Sequence, residues 1–345
     1  MPEPVNQGSL AALRQEFGPA LHENVSMASY TTARVGGLAD ALLVAHSAAE
    51  LAQAAARLWA LELPFFVLGS GSNILVSDQG LRGVVLLNRA RAIKIDARPP
   101  TGAADTPPTV WAESGANFGT IARQTALRGL SGLEWAATIP GTLGGAVYGN
   151  AGAYGSDMTA NLLLADILHP ADSQPARPQT YTLPQMGYAY RSSTLKRAQT
   201  PSGPAPAAVI LSATLQLALS DPPTVQARIE ANASHRRRTQ PPGASMGSIF
   251  KNPPGDYAGR IIEAAGLKGT RIGDAEISPV HANFLINHGA ATAGHMGQLI
   301  AQARAAVAQQ FGIVLELEVE LLGEWPAPLK SAAFTPTEKS AKEFE

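Results

Sequence analysis

The chain contains no cysteine. Disulfides, thiolate metal sites, iron–sulfur clusters and cysteine nucleophiles are all excluded by that one absence. Charge of a dominant sign is missing as well. With 26 basic and 27 acidic side chains the formal net charge is −1, so no global positive field points to nucleic acid. Long apolar runs are absent: a stretch such as Ala205–Leu211 falls far short of the roughly 20 residues that cross a bilayer. The opening MPEPVNQGSL has no basic segment followed by an apolar core, so no signal peptide and no membrane insertion are expected, and the location expected is cytoplasmic. The seven histidines show no HExxH or comparable spacing, so no catalytic metal is expected.

What is present is a 345-residue chain, 45% hydrophobic, with room for two or three domains. Ser47 and Glu50 have capping-box spacing ahead of an alanine- and leucine-rich helix running to Leu63. PFFVLG, NILVS and GVVLLN then read as strands, TVWAESGA as another, and Asn117 as the cap of a helix beginning FGTIARQ. VILSATLQLAL is strand-like. Pro222–Pro223 suggest a boundary before a basic helical segment that ends near SHRRRTQPPG. AGRIIEAAGLKG reads as a helix stopped by Gly266, HANFLIN as a short strand, GHMGQLIAQARAAVAQQFG as a helix and IVLELEVELLG as a strand. Arg98–Thr109 and Thr200–Ala208 read as loops, and Pro326–Glu345 as a disordered tail. The class is α+β.

Two glycine clusters interrupt this pattern. LGSGSN at residues 68–73 follows a strand, but Ile74-Leu75-Val76 continue as strand rather than helix, so a Rossmann reading fails on context. Such a loop either turns tightly between strands or presents successive amides to a phosphate. IPGTLGGAVYGNAGAYG at residues 139–155 places glycine at 141, 144, 145, 149, 152 and 155. At about 1 kcal/mol each relative to alanine, these argue against a helix interior and for a bare, uncharged wall against a planar ligand.

The ordered set YTTARVGG (30–37), LGSGSN, IPGTLGGAVYGNAGAYG, YAYRSS (188–193), GSIFKNP (247–253), AGLKGTRIGDAEIS (265–278), HANFLIN (281–287) and EVELLG (318–323) resembles the UDP-N-acetylenolpyruvoylglucosamine reductase family from about Val25 to Gly323. The resemblance implies an α+β fold: a two-part FAD-binding domain of the vanillyl-alcohol-oxidase/PCMH type and a smaller α+β substrate-binding domain. The expected division is an N-terminal extension over 1–20, FAD halves over 21–88 and 89–220, a substrate domain over 221–314, a strand returning to the flavin over 315–325, and the tail over 326–345. It implies non-covalent FAD, NADPH as co-substrate and a UDP-sugar as substrate. Gly69, Ser70, Gly71, Ser72 and Asn73 would lie at the pyrophosphate. Pro140, Gly141, Thr142, Gly144, Gly145, Gly149, Asn150, Gly152, Ala153, Tyr154 and Gly155 would lie beside the isoalloxazine and pyrophosphate.

The implied reaction reduces an enol ether conjugated to a carboxylate. Hydride passes from NADPH to FAD and from flavin N5 to the enolpyruvyl β-carbon, and a proton must reach the α-carbon. The resemblance places the proton donor at Ser248. Read alone, Ser248 is a turn serine bonding its own backbone. Arg191 is the candidate charge stabiliser, because a guanidinium grips a carboxylate with two parallel hydrogen bonds; a solvated loop arginine is the other reading. Glu318 shares one strand face with Glu316 and Glu320, opposite Leu315, Leu317, Val319 and Leu321. A solvated acidic face explains that pattern, but if the strand borders a dry site only Glu318 should enter it, with a raised pKa and a proton to donate to the enolate.

Arg236, Arg237 and Arg238 precede the serine motif as diphosphate donors, with Arg237 and Arg238 taken for the site; Thr239 stands where relatives often carry lysine, and a solvated helix end is the competing reading. Lys251, Asn252 and His281 occupy substrate-contact positions, although His281 reads equally as a structural histidine. Glu320 stands where the family usually has arginine. The short Pro/Ala-rich connector after Arg191 has no tyrosine, which resembles the branch lacking a tyrosine lid and leaves the loop at Pro253–Tyr257 as a candidate closure. Two other classes remain open: a flavin-dependent oxidase or dehydrogenase of the same fold acting on a sugar or alcohol, and a flavin-binding protein without turnover. The oligomeric state is not written in the sequence; a monomer is the working expectation.

Overall fold

Local capping signals set where the helices begin. In this computed structural model, which describes residues 7–96, 107–170, 177–199, 206–326 and Leu329, Ser47 caps helix Ala48–Ala60 by accepting from the Glu50 amide. Glu50 returns a bond to the His46 amide at 2.8 Å. Asn117 caps helix Phe118–Ala126 and Thr292 caps helix Ala293–Phe311 in the same way, each satisfying an amide the helix cannot pair itself. Most of the expected tail at Pro326–Glu345 and of the loops at Arg98–Thr109 and Thr200–Ala208 lies outside the described residues.

The chain forms two compact units. The first takes the described residues up to Asn24, Asp40–Ser70 and Arg82–Arg236; the second takes Val25–Ala39, Gly71–Leu81 and the described residues from Arg237 on. Both expected FAD halves therefore contribute to the first unit, as does helix Pro222–Thr239 through Arg236.

In the first unit, Phe65–Leu68 pairs in parallel with Leu81–Asn88 within a four-stranded sheet. Helix Ala48–Ala60 buries Leu51, Ala55 and Leu58, an i, i+4, i+7 stripe, in a core with Leu43, Val84, Leu86 and Leu211. A five-stranded antiparallel sheet runs in the order Gln179–Thr182, Leu162–Leu168, Val209–Gln216, Thr109–Glu113, Ile93–Asp96. Phe118 meets Trp135 edge-on at 5.4 Å in its core. Glu113 is buried there but satisfied, accepting from the amides of Ala48 and Ala92 at 2.8 Å each.

The glycine-rich segment corrects one expectation. Leu143–Gly149 is helical despite three glycines. Leu143, Ala146 and Val147 are buried at helical spacing, Thr142 caps the start, and the amides of Leu143 and Gly144 bond to Ala116 O and Ser114 O at 2.9 and 2.7 Å. Burial and these external acceptors outweigh roughly 1 kcal/mol of propensity per glycine. Asn150 ends the helix in the left-handed region, with φ of 48°.

The second unit carries a three-stranded antiparallel sheet, Arg271–Ile272, Ala275–Ile277 and Leu285–Asn287. Helix Ala293–Phe311 packs on it, and the Asp78 carboxylate accepts from the helix's first amides, Ala293 and Gly294, at 2.9 and 2.7 Å. The expected long strand at IVLELEVELLG is a second correction. Regular pairing covers only Glu320–Leu322, parallel to Ile74–Val76, with an isolated bridge from Leu317 to Phe250. Its partner is three residues long, between the first glycine cluster and the turn at Ser77–Gly80, so there is nothing further to pair with. Alternation survives only in part: Leu315 and Val319 are buried and Glu316 is exposed, while Leu317, Glu318, Glu320 and Leu321 are all half-buried.

Gly71 shows how tightly that cluster is packed. It has φ of +63°, and a Cβ there would lie 2.1 Å from Tyr30 O. Gly71→Ala should therefore destabilise the apoprotein by at least about 2 kcal/mol, from the left-handed backbone and the overlap together. Thermal unfolding measures this, and an unchanged Tm would disprove the close approach. No helix among the described residues is long and apolar enough to cross a membrane.

Candidate active site

In the first unit the glycines divide by what surrounds them. A Cβ on Gly69 would come within 2.6 Å of Thr142 Oγ1, so the two glycine clusters abut although some 70 positions separate them in sequence. Gly144 is pressed by Ser114 and Gly152 by Asp157, with 2.9 and 2.6 Å to their Cβ atoms. These residues are bare because protein atoms leave no room. Gly145, by contrast, has only Thr142 Oγ1 nearby, at 3.7 Å, and Gly149 and Gly155 would meet nothing within 4 Å. Their missing side chains leave an open, uncharged cradle that Cβ atoms would fill. That is the surface a large flat group such as the FAD ring system needs. Of the glycines whose surroundings are described in residues 139–155, Gly145, Gly149 and Gly155 are the ones that open onto such a surface.

Arg191 belongs to the same unit. It sits in a tight turn closed by reciprocal backbone bonds between Ala189 and Ser192, 3.0 Å each. Its φ is 54°, a conformation that costs a non-glycine residue on the order of 1–3 kcal/mol and marks functional turns. Nη2 donates to Gly152 O at 2.8 Å, and the guanidinium lies over the Tyr190 ring, 5.3 Å from its centroid. A guanidinium carries five N–H donors in a planar fork, the geometry that matches a carboxylate. Asn150, expected at the cofactor, is buried, and its Nδ2 donates to Ala189 O at 3.0 Å and Asp157 Oδ2 at 3.3 Å. Its amide nitrogen is committed to the protein.

Tyr154 also departs from a simple stacking role. Its hydroxyl bonds to Asn232 O at 3.1 Å and to Thr138 Oγ1 at 3.3 Å, and its ring meets His235 edge-on at 5.9 Å. The residue fastens helix Pro222–Thr239. Burial lowers the Arg236 pKa, partly opposed by that tyrosine. Arg236 thus belongs to this contact, while Arg237 and Arg238 are exposed.

In the second unit, three distant segments meet. Ser248 follows Gly247, whose φ is 78°, and bridges to Phe284. The next carbonyl, Ile249 O, accepts from the Glu318 amide at 2.8 Å, which places the serine and glutamate segments side by side. Asn73 joins them: its Nδ2 donates to Glu318 O at 3.0 Å, and its own carbonyl accepts from the Glu320 amide at 3.0 Å. Asn283, which the sequence did not single out, holds Phe250 from both sides, accepting from its amide at 2.9 Å and donating to its carbonyl at 2.8 Å. Its only sequence signal is an amide among the apolar residues that lead into the strand Leu285–Asn287.

The remaining candidates are drawn into structural work. Lys251 ion-pairs with Glu316, and its amide bonds Glu316 O at 2.8 Å. Asn252 Oδ1 accepts from the Ala258 amide at 3.1 Å, at the start of helix Ala258–Ala264. His281 Nδ1 accepts from the Asn283 amide at 3.2 Å, and the ring meets Phe284 at 5.0 Å. Burial lowers its pKa, so the ring is neutral at pH 7 with its proton on Nε2. These contacts fit the structural reading of His281 and leave Nε2–H as its donor. Among the described residues no three His, Asp or Glu side chains gather where they could hold a metal ion.

A family model described as FAD binding domain matches residues 39–172, and one described as UDP-N-acetylenolpyruvoylglucosamine reductase, C-terminal domain, matches residues 239–322. The UDP-N-acetylenolpyruvoylglucosamine reductase of Chloroflexus aggregans is 41% identical over 312 residues, covering 90% of this chain and 100% of that protein. That of Rubrobacter xylanophilus is 40% identical over 312 residues, with 90% and 98% covered. Among solved structures, the UDP-N-acetylenolpyruvylglucosamine reductase of Thermus caldophilus matches with a TM-score of 0.69 and 32% identity, over 87% of this chain and 98% of that one. The fold is a two-domain α+β FAD-binding fold, and from its open glycine cradle to its serine and glutamate segments this chain belongs to the UDP-N-acetylenolpyruvoylglucosamine reductase family.

Proposed function

We propose that the chain catalyses the NADPH-dependent reduction of UDP-N-acetylglucosamine enolpyruvate to UDP-N-acetylmuramate, a step of peptidoglycan precursor synthesis in the cytoplasm. The observation that carries the assignment of roles is the Glu318 amide bonded to Ile249 O, which sets Ser248 beside the carboxylate-bearing segment. Gly145, Gly149 and Gly155 would receive the FAD ring, and the amides of residues 69–73 its pyrophosphate. Bound FAD supplies hydride transfer, taken from NADPH and given to the enolpyruvyl β-carbon.

The protein's own groups do the rest. Arg191 grips the substrate carboxylate, and its hydrogen bonds strengthen as negative charge flows onto that group, which is stabilisation specific to the transition state. Ser248 Oγ gives its proton to the α-carbon. Glu318, protonated, donates a hydrogen bond to the developing enolate. Lys251 would reach substrate only by leaving Glu316, so Arg237 and Arg238 are the better donors for the diphosphate. Residues 21–88 and 89–220 would form the FAD-binding domain, 221–314 the substrate domain and 315–325 the segment completing the site.

Purified protein should be yellow, with a flavin absorption spectrum, and should oxidise NADPH only when UDP-N-acetylglucosamine enolpyruvate is added. NADPH-independent oxidation of a sugar or alcohol, with oxygen as acceptor, would overturn the reading in favour of an oxidase. Glu318→Gln keeps a hydrogen-bond donor but cannot titrate. Its rate should stay within about tenfold of wild type, while the limb of the pH–rate profile in which wild-type activity falls as Glu318 ionises is lost. A profile identical to wild type would remove Glu318 as an acid.

A further inference from the structure

We infer that Asn150 is a positioning residue for Arg191, locking the arginine turn to the end of the glycine helix; this rests on the function proposed above. A helix leaves its last carbonyls without partners. Here the segment that carries Arg191 supplies them. Tyr188 OH donates to Val147 O at 2.8 Å and Ser193 Oγ to Tyr148 O at 2.6 Å, and just beyond the helix Arg191 Nη2 donates to Gly152 O at 2.8 Å. Asn150 makes the return bond, from Nδ2 to Ala189 O, at the point where the turn closes on Ser192. Two bonds from before and after Arg191, one from Arg191 and one into its turn thus tie it to the segment that lines the cradle.

Asn150 differs from the others in what it leaves undone. It is 2% exposed, and its Oδ1 is enclosed with no donor among the described residues. Turning the amide over would not help, because Oδ1 would then face Ala189 O and the Asp157 carboxylate, both acceptors. The fold therefore keeps a buried acceptor unsatisfied, an unfavourable arrangement, while Nδ2 holds the Arg191 turn. The left-handed backbone at Asn150, with φ of 48°, and at Arg191, with φ of 54°, makes both conformations dependent on such fastening.

Asn150→Gly tests this cleanly. Glycine accepts the left-handed backbone, and the orphaned acceptor disappears with the bonds, so the variant should fold with a Tm close to wild type. With FAD saturating, we expect kcat/KM for the enolpyruvyl substrate to fall about 30-fold, at least tenfold more than the rate of flavin reduction by NADPH. The decisive measurement is the cycle with Arg191→Ala. A residue that acts through Arg191 should cost nothing further once the guanidinium is gone. If the two losses multiply, or if both half-reactions fall equally in Asn150→Gly, Asn150 is only structural and the inference is wrong. Should Asn150→Gly fail to fold, Tyr188→Phe removes one fastening without touching the backbone. It should show the same non-additivity with a smaller loss, and additive losses there would overturn the inference. If Arg191→Ala itself reduces substrate normally, the proposed role of Arg191 fails instead, so the two failures read differently.

Discussion

Ser248→Ala is expected to abolish product formation while NADPH still reduces the flavin. Removing a positioned general acid lowers rates by about 10²–10⁴-fold, and the loss should fall only on the half-reaction that protonates the α-carbon. The structure argues that the variant keeps its architecture. The bridge from Ser248 to Phe284 is a backbone contact, and its neighbours are held by Asn283 and by the Glu318 amide on Ile249 O. Deleting the hydroxyl alters no partner in that lattice. Rapid mixing with NADPH alone, then with substrate added to reduced enzyme, separates the steps. Parallel loss in both would show that Ser248 supports the site as a whole and donates no proton.

Arg191→Lys should lower kcat/KM by about 10²-fold or more, despite conserving charge. Two charge-assisted hydrogen bonds of about 1.5–3 kcal/mol each are at stake. In the structure the guanidinium already divides its donors, with one on Gly152 O and its face over Tyr190. An ammonium reaching from the same left-handed turn can serve the carbonyl or the carboxylate, but not both in fork geometry. Steady-state kinetics on folded variant, compared with Arg191→Ala, measures this. Turnover near wild type would mean that Arg191 makes no bidentate contact and that charge alone suffices.

Local signals were legible because they act over a few residues. Ser47 and Asn117 cap the helices they precede, since a side-chain oxygen three residues from an unpaired amide closes the same ring in any context. Gly266 ends its helix for an equally local reason, the absence of a Cβ at positive φ. The order of motifs from Tyr30 to Gly323 was enough to name the family and, through it, the flavin and the UDP-sugar.

Tertiary structure alone decided which neighbour each of those residues meets. Leu143–Gly149 is helical because Ser114 and Ala116 receive its first amides and a core covers its apolar side, neither of which is written within the segment. The last strand is short because its partner, far back at Ile74–Val76, is short. Lys251 meets Glu316, His281 turns inward, and Gly69 is bare for Thr142 while Gly149 is bare for open space. Sequence by itself determined the residue types and their order, hence the chemistry available. Burial and partner choice are properties of contacts between segments distant along the chain, and only the folded arrangement assigns them.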